Sequence, residues 1–347
     1  MIAASGTGGH IFPALAVAEY LTDWEITWLG VPGRLEERLV KGRYPLIEVD
    51  VTGLAGPPGL GWVWTGLKLL QAAGRVRGLL TGFQGVFSTG GYIAAPALLA
   101  AASLGLPALV HESNALPGKV TRLLARWTRG VGLGFAEAVD YLPGVVTRWV
   151  GTPVRPDFWT PSPLVGLDLD PGATMVLAMG GSQGARGVNR LVCASAPQWL
   201  AAGAWVVHLT GPAELATCQA TLQHPHYLPI AFWEQMSALL YRADLVITRA
   251  GAVSLSEVCA TGRASVLIPY PYAADDHQAV NAQTLVDRGA ALMFREATLT
   301  AEVLTRTVLA LLAEPQTCQR MGQIAQSLVK PHAAAEMAQW LRAELTG

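Results

Sequence analysis

Charge is scarce in this chain. Asp, Glu, Lys and Arg make up only 14% of its 347 residues, against ~25% in ordinary soluble domains. Such a composition belongs to deeply buried α/β structure, to a surface that seeks membrane, or to both. The net charge of −1 supplies no global field toward nucleic acid. The four cysteines, Cys193, Cys218, Cys259 and Cys318, form no C-x-x-C pair and have no histidine at ligand spacing. This argues against a zinc site and a disulfide framework, and fits a reducing cytosol. Glycines and His10 interrupt the first ten residues, so no signal peptide is expected. Residues 78–110 carry no charge, which is length enough to span a bilayer. Pro96, Pro107 and six glycines break that stretch, so it reads instead as strand, turn, Ala-rich helix, turn and strand.

What is present is alternation. Short apolar runs at residues 2–5, 26–30, 46–51, 85–88, 108–111 and 145–150 predict strands, with helices expected at 13–22, 62–80, 92–104 and 118–126. The pattern restarts with strands at 175–179, 205–209, 245–248 and 265–269. Strand–helix alternation predicts parallel sheets covered on both faces. Residues 152–171 hold five prolines and no periodicity, and read as the linker between two doubly wound domains. In open α/β sheets the ligand site lies at the carboxyl ends of the strands. Two such domains facing each other would place an active site in the cleft between them.

Several strands run into glycine-rich turns. The first is Gly6-Thr7-Gly8-Gly9-His10, the second Ser88-Thr89-Gly90-Gly91-Tyr92, the third Gly180-Gly181-Ser182-Gln183-Gly184-Ala185-Arg186. Glycine lets backbone approach a ligand, and free helix N-terminal amides attract anions. Together the turns suggest several anionic groups, such as two diphosphates. The spacing is not G-x-G-x-x-G, and no acidic residue ends the second strand, which counts against a dinucleotide. A fourth segment, Arg249-Ala250-Gly251-Ala252-Val253-Ser254-Leu255-Ser256-Glu257, offers small residues for a diphosphate at a helix start. Glu257, about one turn further on, is placed to accept hydrogen bonds from vicinal ribose hydroxyls. The fifth segment is Asp275-Asp276-His277-Gln278, then Asn281. Imidazole and amide suit sugar hydroxyls. The paired aspartates invite a metal reading, but no third oxygen ligand is near, and an Asp N-cap for a helix over 276–288 is expected.

These motifs, in this order, resemble the MurG family of UDP-N-acetylglucosamine:N-acetylmuramyl-(pentapeptide) pyrophosphoryl-undecaprenol N-acetylglucosaminyltransferases. The resemblance runs from Gly6 to the last helix and also includes His111-Glu112-Ser113-Asn114 and Gly151-Thr152-Pro153-Val154-Arg155. It implies a GT-B fold, two Rossmann-like doubly wound domains facing a central cleft. Residues 1–151 would be the acceptor and membrane domain, with a final helix at about 332–347 packing back onto it, and 152–331 the donor domain. It implies that Glu257 holds the ribose of UDP, that Ala252, Val253 and Ser254 face its diphosphate with Ser182 and Gln183, and that His277 and Gln278 recognise N-acetylglucosamine. Trp233 and Met236 would cradle uracil, and Arg155 would contact the donor at the domain junction. Thr7, Gly8, Gly9, His10, Gly90, Gly91, Tyr92 and Asn114 would form the acceptor region. The chain departs from the family pattern in its short first strand, in Tyr272 where many members carry histidine, and in Ala250 where serine is common.

The resemblance further implies an inverting, metal-independent transfer that needs no cofactor, forming a β-1,4 linkage to a lipid-linked muramyl pentapeptide. Two residues are candidates for the base, His10 and Glu112. A lipid acceptor cannot leave the bilayer, so peripheral attachment to the cytoplasmic face of the plasma membrane is expected. The stretch between Leu60 and Arg77, with Trp62, Val63, Trp64, Leu67, Lys68, Leu69, Leu70 and Arg75, has the tryptophans and cations for an anionic surface. Rival readings are another GT-B lipid glycosyltransferase, of diacylglycerol type, and a UDP-N-acetylglucosamine 2-epimerase.

Overall fold

The computed structural model describes residues 1–51, 60–181 and 184–345, the first six of the second stretch by backbone alone. The chain divides into two compact units, Met1–Val154 with Lys330–Gly347, and Arg155–Val329. Arg155 therefore opens the second unit.

Among the described residues, the first unit is built on a seven-stranded parallel sheet. Its strands are β1 (Ile2–Ala3), β2 (Trp28–Gly30), β3 (Leu46–Glu48), β4 (Val86–Ser88), β5 (Ala108–Glu112), β6 (Gly130–Leu133) and β7 (Thr147–Trp149), in the order β3-β2-β1-β4-β5-β6-β7. The connections are helical: α1 (Gly8–Ala18), α2 (Glu36–Leu39), α3 (Leu60–Leu79), α4 (Ala94–Leu104) and α5 (Lys119–Leu124). The uncharged stretch at 78–110 is indeed β4, α4 and β5. Gly105 ends α4 in the left-handed conformation, the usual stop for a helix that must turn at once. No described helix is long and apolar enough to cross a membrane.

The second unit repeats the plan. Strands β8 (Met175–Met179), β9 (Trp205–Leu209), β10 (Tyr227–Ile230), β11 (Leu245–Thr248), β12 (Ala264–Leu267) and β13 (Ala291–Met293) run parallel in the order β10-β9-β8-β11-β12-β13. Helices α6 (Arg186–Ala201), α7 (Leu215–Thr221), α8 (Met236–Arg242), α9 (Ala252–Ala260), α10 (His277–Val286), α11 (Ala301–Ala313) and α12 (Pro315–Ser327) flank it. Both sheets are Rossmann-like, and the strand order reverses between β1 and β4 in one and between β8 and β11 in the other. Ligands collect at such switch points because the two diverging connections leave a crevice at the strand ends.

The last helix, α13 (Ala333–Leu345), belongs to the first unit. It buries Met337, Trp340 and Leu341, each worth ~1.5–3 kcal/mol on leaving water. Its seat is made by missing side chains. A Cβ on Gly130 would lie 2.5 Å from Trp340, and one on Gly132 would lie 2.7 Å from the Met337 sulfur. Strand β6 is therefore glycine-bearing where it must accept a helix, which disguises it as a loop in the sequence.

Candidate functional site

At the switch point of the first unit, the helix begins earlier than expected. Thr7 is the N-cap and α1 starts at Gly8, so the glycine turn is itself helical and Pro13 lies inside the helix. The expected start at residue 13 is thereby corrected. The consequence is that His10 sits in the first turn of α1, above the end of β4. Its Nδ1 lies 2.8 Å from the carbonyl oxygen of Thr89, and the Thr89 hydroxyl donates to the carbonyl of His10 at 2.7 Å. A carbonyl only accepts, so Nδ1 carries the proton and Nε2 is left as an acceptor. Gly90 and Gly91, both at positive φ, pass beneath the ring; a Cβ on Gly91 would be 3.4 Å from Nε2. The structure thus joins Thr7, Gly8, Gly9 and His10 to Gly90 and Gly91, with Tyr92 60% exposed beside them.

A buried carboxylate that the sequence did not reveal supports this turn. Glu36, fully buried, accepts from the backbone N–H of Gly6 at 3.2 Å and of Val31 at 2.8 Å. In the sequence it stands beside Glu37 and Arg38 and looks like part of a solvated helix.

Glu112 ends β5, next to β4. One oxygen accepts from the Asn114 backbone at 3.1 Å and its side-chain amide at 3.0 Å; the other accepts from the Gly118 N–H at 3.0 Å and the Thr121 hydroxyl at 2.8 Å. Four donors occupy this carboxylate, which fastens the start of α5. Its neighbour His111 is buried and held by the backbone. The ring donates from Nε2 to Gly151 at 2.9 Å, and burial lowers its pKa to about 4.

At the switch point of the second unit, Gly251 is the N-cap of α9, and Ala252, Val253 and Ser254 form its first turn. Gln278 reaches the same turn. Its carbonyl oxygen accepts from Ala250 N–H at 3.2 Å and Tyr270 N–H at 2.9 Å, while its Nε2 lies 4.0 Å from a Cβ built on Gly251. Asn281 donates to the carbonyl of Ala250 at 3.2 Å. Arg249, almost buried, pairs with Glu296 at 2.6 Å and donates to the carbonyls of Ile268 and Pro269. The turn is thus held from three sides. Ser182 and Gln183 lie outside the described residues.

Glu257 stands on α9, half-buried. Among the described residues no hydrogen-bond donor reaches its carboxylate. Burial raises its pKa to about 7, a rise that Arg155 opposes and Asp157 assists. Arg155 also lies over the Phe158 ring at 5.0 Å. Met236 opens α8, and Tyr241 on that helix donates to the carbonyl of Phe158 at 2.9 Å. Trp233 is half-buried, its ring 3.4 Å from a Cβ built on Gly166.

Asp275 and Asp276 both take left-handed backbone conformations, with φ of 50° and 57°. Such strain in non-glycine residues concentrates at functional sites. Asp276 is the N-cap of α10, yet its side chain does not cap; it pairs with Arg295 at 2.7 Å. The cap expected from sequence is corrected here, because the arginine offers a charged partner in place of a backbone amide. His277 directs Nδ1 at the carbonyl of Ala274, 2.8 Å away, which leaves Nε2 as an acceptor.

Sequence spacing gave no histidine partner to the cysteines, but the fold supplies one. Cys193, His208 and Cys218 bring their ligand atoms within 4.8 Å of one another. Both ring nitrogens of His208 are already engaged, by Tyr227 at 2.8 Å and Asn189 at 3.0 Å. Burial pushes the Cys218 thiol up to about 12, so the cluster is a neutral hydrogen-bonded one.

With this geometry in place, the likenesses to known proteins become specific. Residues 1–133 match the glycosyltransferase family 28 N-terminal domain, and 175–337 its C-terminal domain. A Gloeobacter violaceus protein named UDP-N-acetylglucosamine–N-acetylmuramyl-(pentapeptide) pyrophosphoryl-undecaprenol N-acetylglucosamine transferase is 56% identical, over 99% of this chain and 97% of the relative. One of the same name from Synechococcus elongatus is 52% identical over 96% and 92%. The crystal structure of Acinetobacter baumannii MurG superposes with a TM-score of 0.81 at 30% identity, covering 99% of this chain and 98% of the other. A putative UDP-N-acetylglucosamine 2-epimerase from Listeria monocytogenes, 13% identical with a TM-score of 0.70, shares the fold alone. The fold is therefore GT-B, and on identity sustained across nearly its whole length the chain belongs to the MurG family of N-acetylglucosaminyltransferases.

Proposed function

We propose that this protein transfers N-acetylglucosamine from UDP-N-acetylglucosamine to the 4-hydroxyl of undecaprenyl-pyrophosphoryl-N-acetylmuramyl pentapeptide, with inversion and without metal. The names of its relatives support the substrates. The observation that carries the donor half is Glu257, a half-buried carboxylate that no hydrogen-bond donor among the described residues reaches, on the helix whose N-terminus faces the switch point. Two vicinal ribose hydroxyls supply the missing donors. The amides at the start of α9 then face the diphosphate, where helix N-terminal charge stabilises the leaving UDP.

The base is assigned to His10. Its Nδ1 is tied to Thr89, so Nε2 holds a lone pair for the acceptor hydroxyl proton. As that proton moves to Nε2, the acceptor oxygen bonds to the anomeric carbon and the bond to the UDP oxygen breaks. Glu112 has no oxygen lone pair left uncommitted by its four donors, so it is read as scaffold. His277 and Gln278 are assigned to the donor sugar, with the imidazole Nε2 accepting and the Gln278 amide donating. Arg155 is assigned to the donor through its charge beside Glu257.

Membrane contact is assigned to the side of the first unit formed by α3, α4 and α5, which pack in that order. From residue 51 to 136 the only acidic side chain is the buried Glu112, against seven cations: Lys68, Arg75, Arg77, Lys119, Arg122, Arg126 and Arg129. Leu67, Leu70, Leu123 and Trp127 stand exposed among them. The side chains of Leu60, Trp62, Val63 and Trp64 lie outside the described residues. The protein should sediment with vesicles containing anionic lipid and not with zwitterionic ones; equal binding to both would remove the electrostatic part of this reading.

Radiolabelled UDP-N-acetylglucosamine tests the reaction. Label should pass to lipid-linked muramyl pentapeptide. Transfer to diacylglycerol instead, or epimerisation of the nucleotide sugar without acceptor, would replace this reading with one of its rivals.

A further inference from the structure

We propose that Glu36 is a positioning residue of the transferase: through the peptide between Ser5 and Gly6 it holds the imidazole of His10 in its working place. The inference rests on the assignment of His10 as the base and adds a residue that no motif singled out. Glu36 opens α2 and reaches across to the turn between β1 and α1.

The two oxygens of Glu36 have different tasks. Oε1 accepts from the N–H of Val31, in its own loop, at 2.8 Å. Oε2 accepts from the N–H of Gly6, 30 residues away in sequence, at 3.2 Å. The adjacent Glu37 accepts from the N–H of Gly33, again within the loop. Room for the Glu36 side chain is made at the end of β2, where a Cβ on Gly30 would lie 2.9 Å from its Cγ and 3.0 Å from Oε1. Glu36 is fully buried, and both of its bonds require an acceptor. A carboxylate supplies two, whereas an amide supplies one and turns a donor on the other N–H.

The Gly6 N–H belongs to a peptide whose other edge meets the second glycine turn. In a planar trans peptide the N–H and the preceding carbonyl point in opposite directions, so holding the N–H of Gly6 also holds the carbonyl of Ser5. A Cβ on Gly91 would lie 3.5 Å from that oxygen and 3.4 Å from Nε2 of His10. The peptide and the reactive edge of the imidazole are therefore neighbours on one glycine. Gly6 itself has a φ of 99°, and the Thr7 side chain makes no capping hydrogen bond. The turn is gripped at its two ends instead, by Glu36 at Gly6 and by the reciprocal pair of Thr89 and His10. Without Glu36 one end is released, the peptide is free to rotate, and Nε2 loses its fixed direction toward the acceptor hydroxyl.

The test uses full-length protein, with radiolabel transfer for kcat and both KM values and UDP as the calorimetric probe. Glu36→Gln turns an amide donor on one of the two N–H groups. Misplacing a catalytic group by about 1 Å costs about 10²-fold, so this variant should lower kcat about 10- to 100-fold and leave UDP Kd and donor KM within about twofold. Gly30→Ala crowds the same carboxylate; it should lower kcat in the same sense and stands in should Glu36→Gln fail to fold. A double-mutant cycle separates positioning from mere support. In a His10→Ala background the same two changes should lower kcat by less than about threefold, because the group they aim is gone. Equal losses in both backgrounds, or a lowered Tm with unchanged kcat, overturn the proposal. His10→Ala alone is the control: normal kcat there means that the base reading has failed and this proposal with it, whereas a large loss there beside normal turnover in Glu36→Gln and Gly30→Ala rejects only the positioning role.

Discussion

Two glutamates, Glu112 at the end of β5 and Glu257 on α9, differ in how many donors meet them. Glu112 receives four hydrogen bonds from its own neighbourhood. Glu257 receives none from the described residues, and burial raises its pKa to about 7. A carboxylate withdrawn from water normally finds partners, whereas Glu257 is only half-buried. One that lacks them is stabilised once a ligand brings donors. The sequence marks both residues as cleft candidates; the donor count separates them.

The largest effect that could break this comparison lies at His10. If Glu112 is scaffold, the base role falls to His10, and His10→Ala should lower kcat by ~10²–10⁴-fold. UDP affinity should stay unchanged, since the assigned UDP contacts are on the second unit. Glu112→Gln turns one acceptor oxygen into a donor against two existing donors, so it should lower Tm by several degrees and leave kcat within about tenfold at a permissive temperature. A folded Glu112→Gln protein with normal acceptor KM and no turnover would reverse the two assignments.

The next effect concerns Glu257. Charge-assisted hydrogen bonds are worth ~1.5–3 kcal/mol, so Glu257→Ala should weaken UDP by about 10- to 100-fold. Glu257→Gln should weaken UDP too, yet stabilise the empty protein at pH 8. A folded pKa raised from 4.5 to about 7 means the native state binds that proton more tightly than the unfolded chain. Its contribution is present in full below pH 4.5 and lost as pH rises through about 7. The Tm of Glu257→Gln should therefore exceed that of the parent at pH 8 and approach it at pH 4. Equal Tm differences at both pH values would mean that Glu257 is not strained by its surroundings.

What the sequence reveals of the fold, and what it hides, follows from the range of the forces involved. Glycine turns and short apolar runs are local, so the ends of β1, β4, β8 and β11 were readable, and with them both switch points. Strand β6 was not, because Gly130 and Gly132 answer to Trp340 and Met337 some two hundred residues away. Strand β10 was hidden by Pro229, which occupies an edge position where a missing N–H is tolerated. Glu36 beneath the first turn and His208 between Asn189 and Tyr227 are contacts across tens of residues, with no periodicity to announce them. Asp276 shows the converse: a residue well suited to cap a helix that is taken instead by Arg295.

A smaller effect is the pH dependence of UDP binding. Glu257 must be ionised to accept two ribose hydroxyls, so binding near pH 6.5 should release up to about three-quarters of a proton. UDP affinity should rise with pH to about 7 and then level off. Calorimetry in buffers of different ionisation enthalpy measures the released proton. No release in the parent, or the same release in Glu257→Gln, would assign the titration elsewhere.

The smallest expected effect is that of a chelator. Asp276 is committed to Arg295, and the Cys193–His208–Cys218 group has both imidazole nitrogens engaged. Neither is arranged as a cation site for a diphosphate. The amides at the start of α9 carry the leaving-group charge in this reading, at little cost of reorganisation because Gln278 and Asn281 already hold the turn before them. EDTA should therefore change the initial rate by less than about twofold, and the UDP Kd likewise. Loss of activity in EDTA that magnesium or manganese restores would show that the donor arrives with a cation. Glu257 would then sit beside a charged complex, its raised pKa would collapse on binding, and the proton released near pH 6.5 would be driven by the metal instead of the ribose.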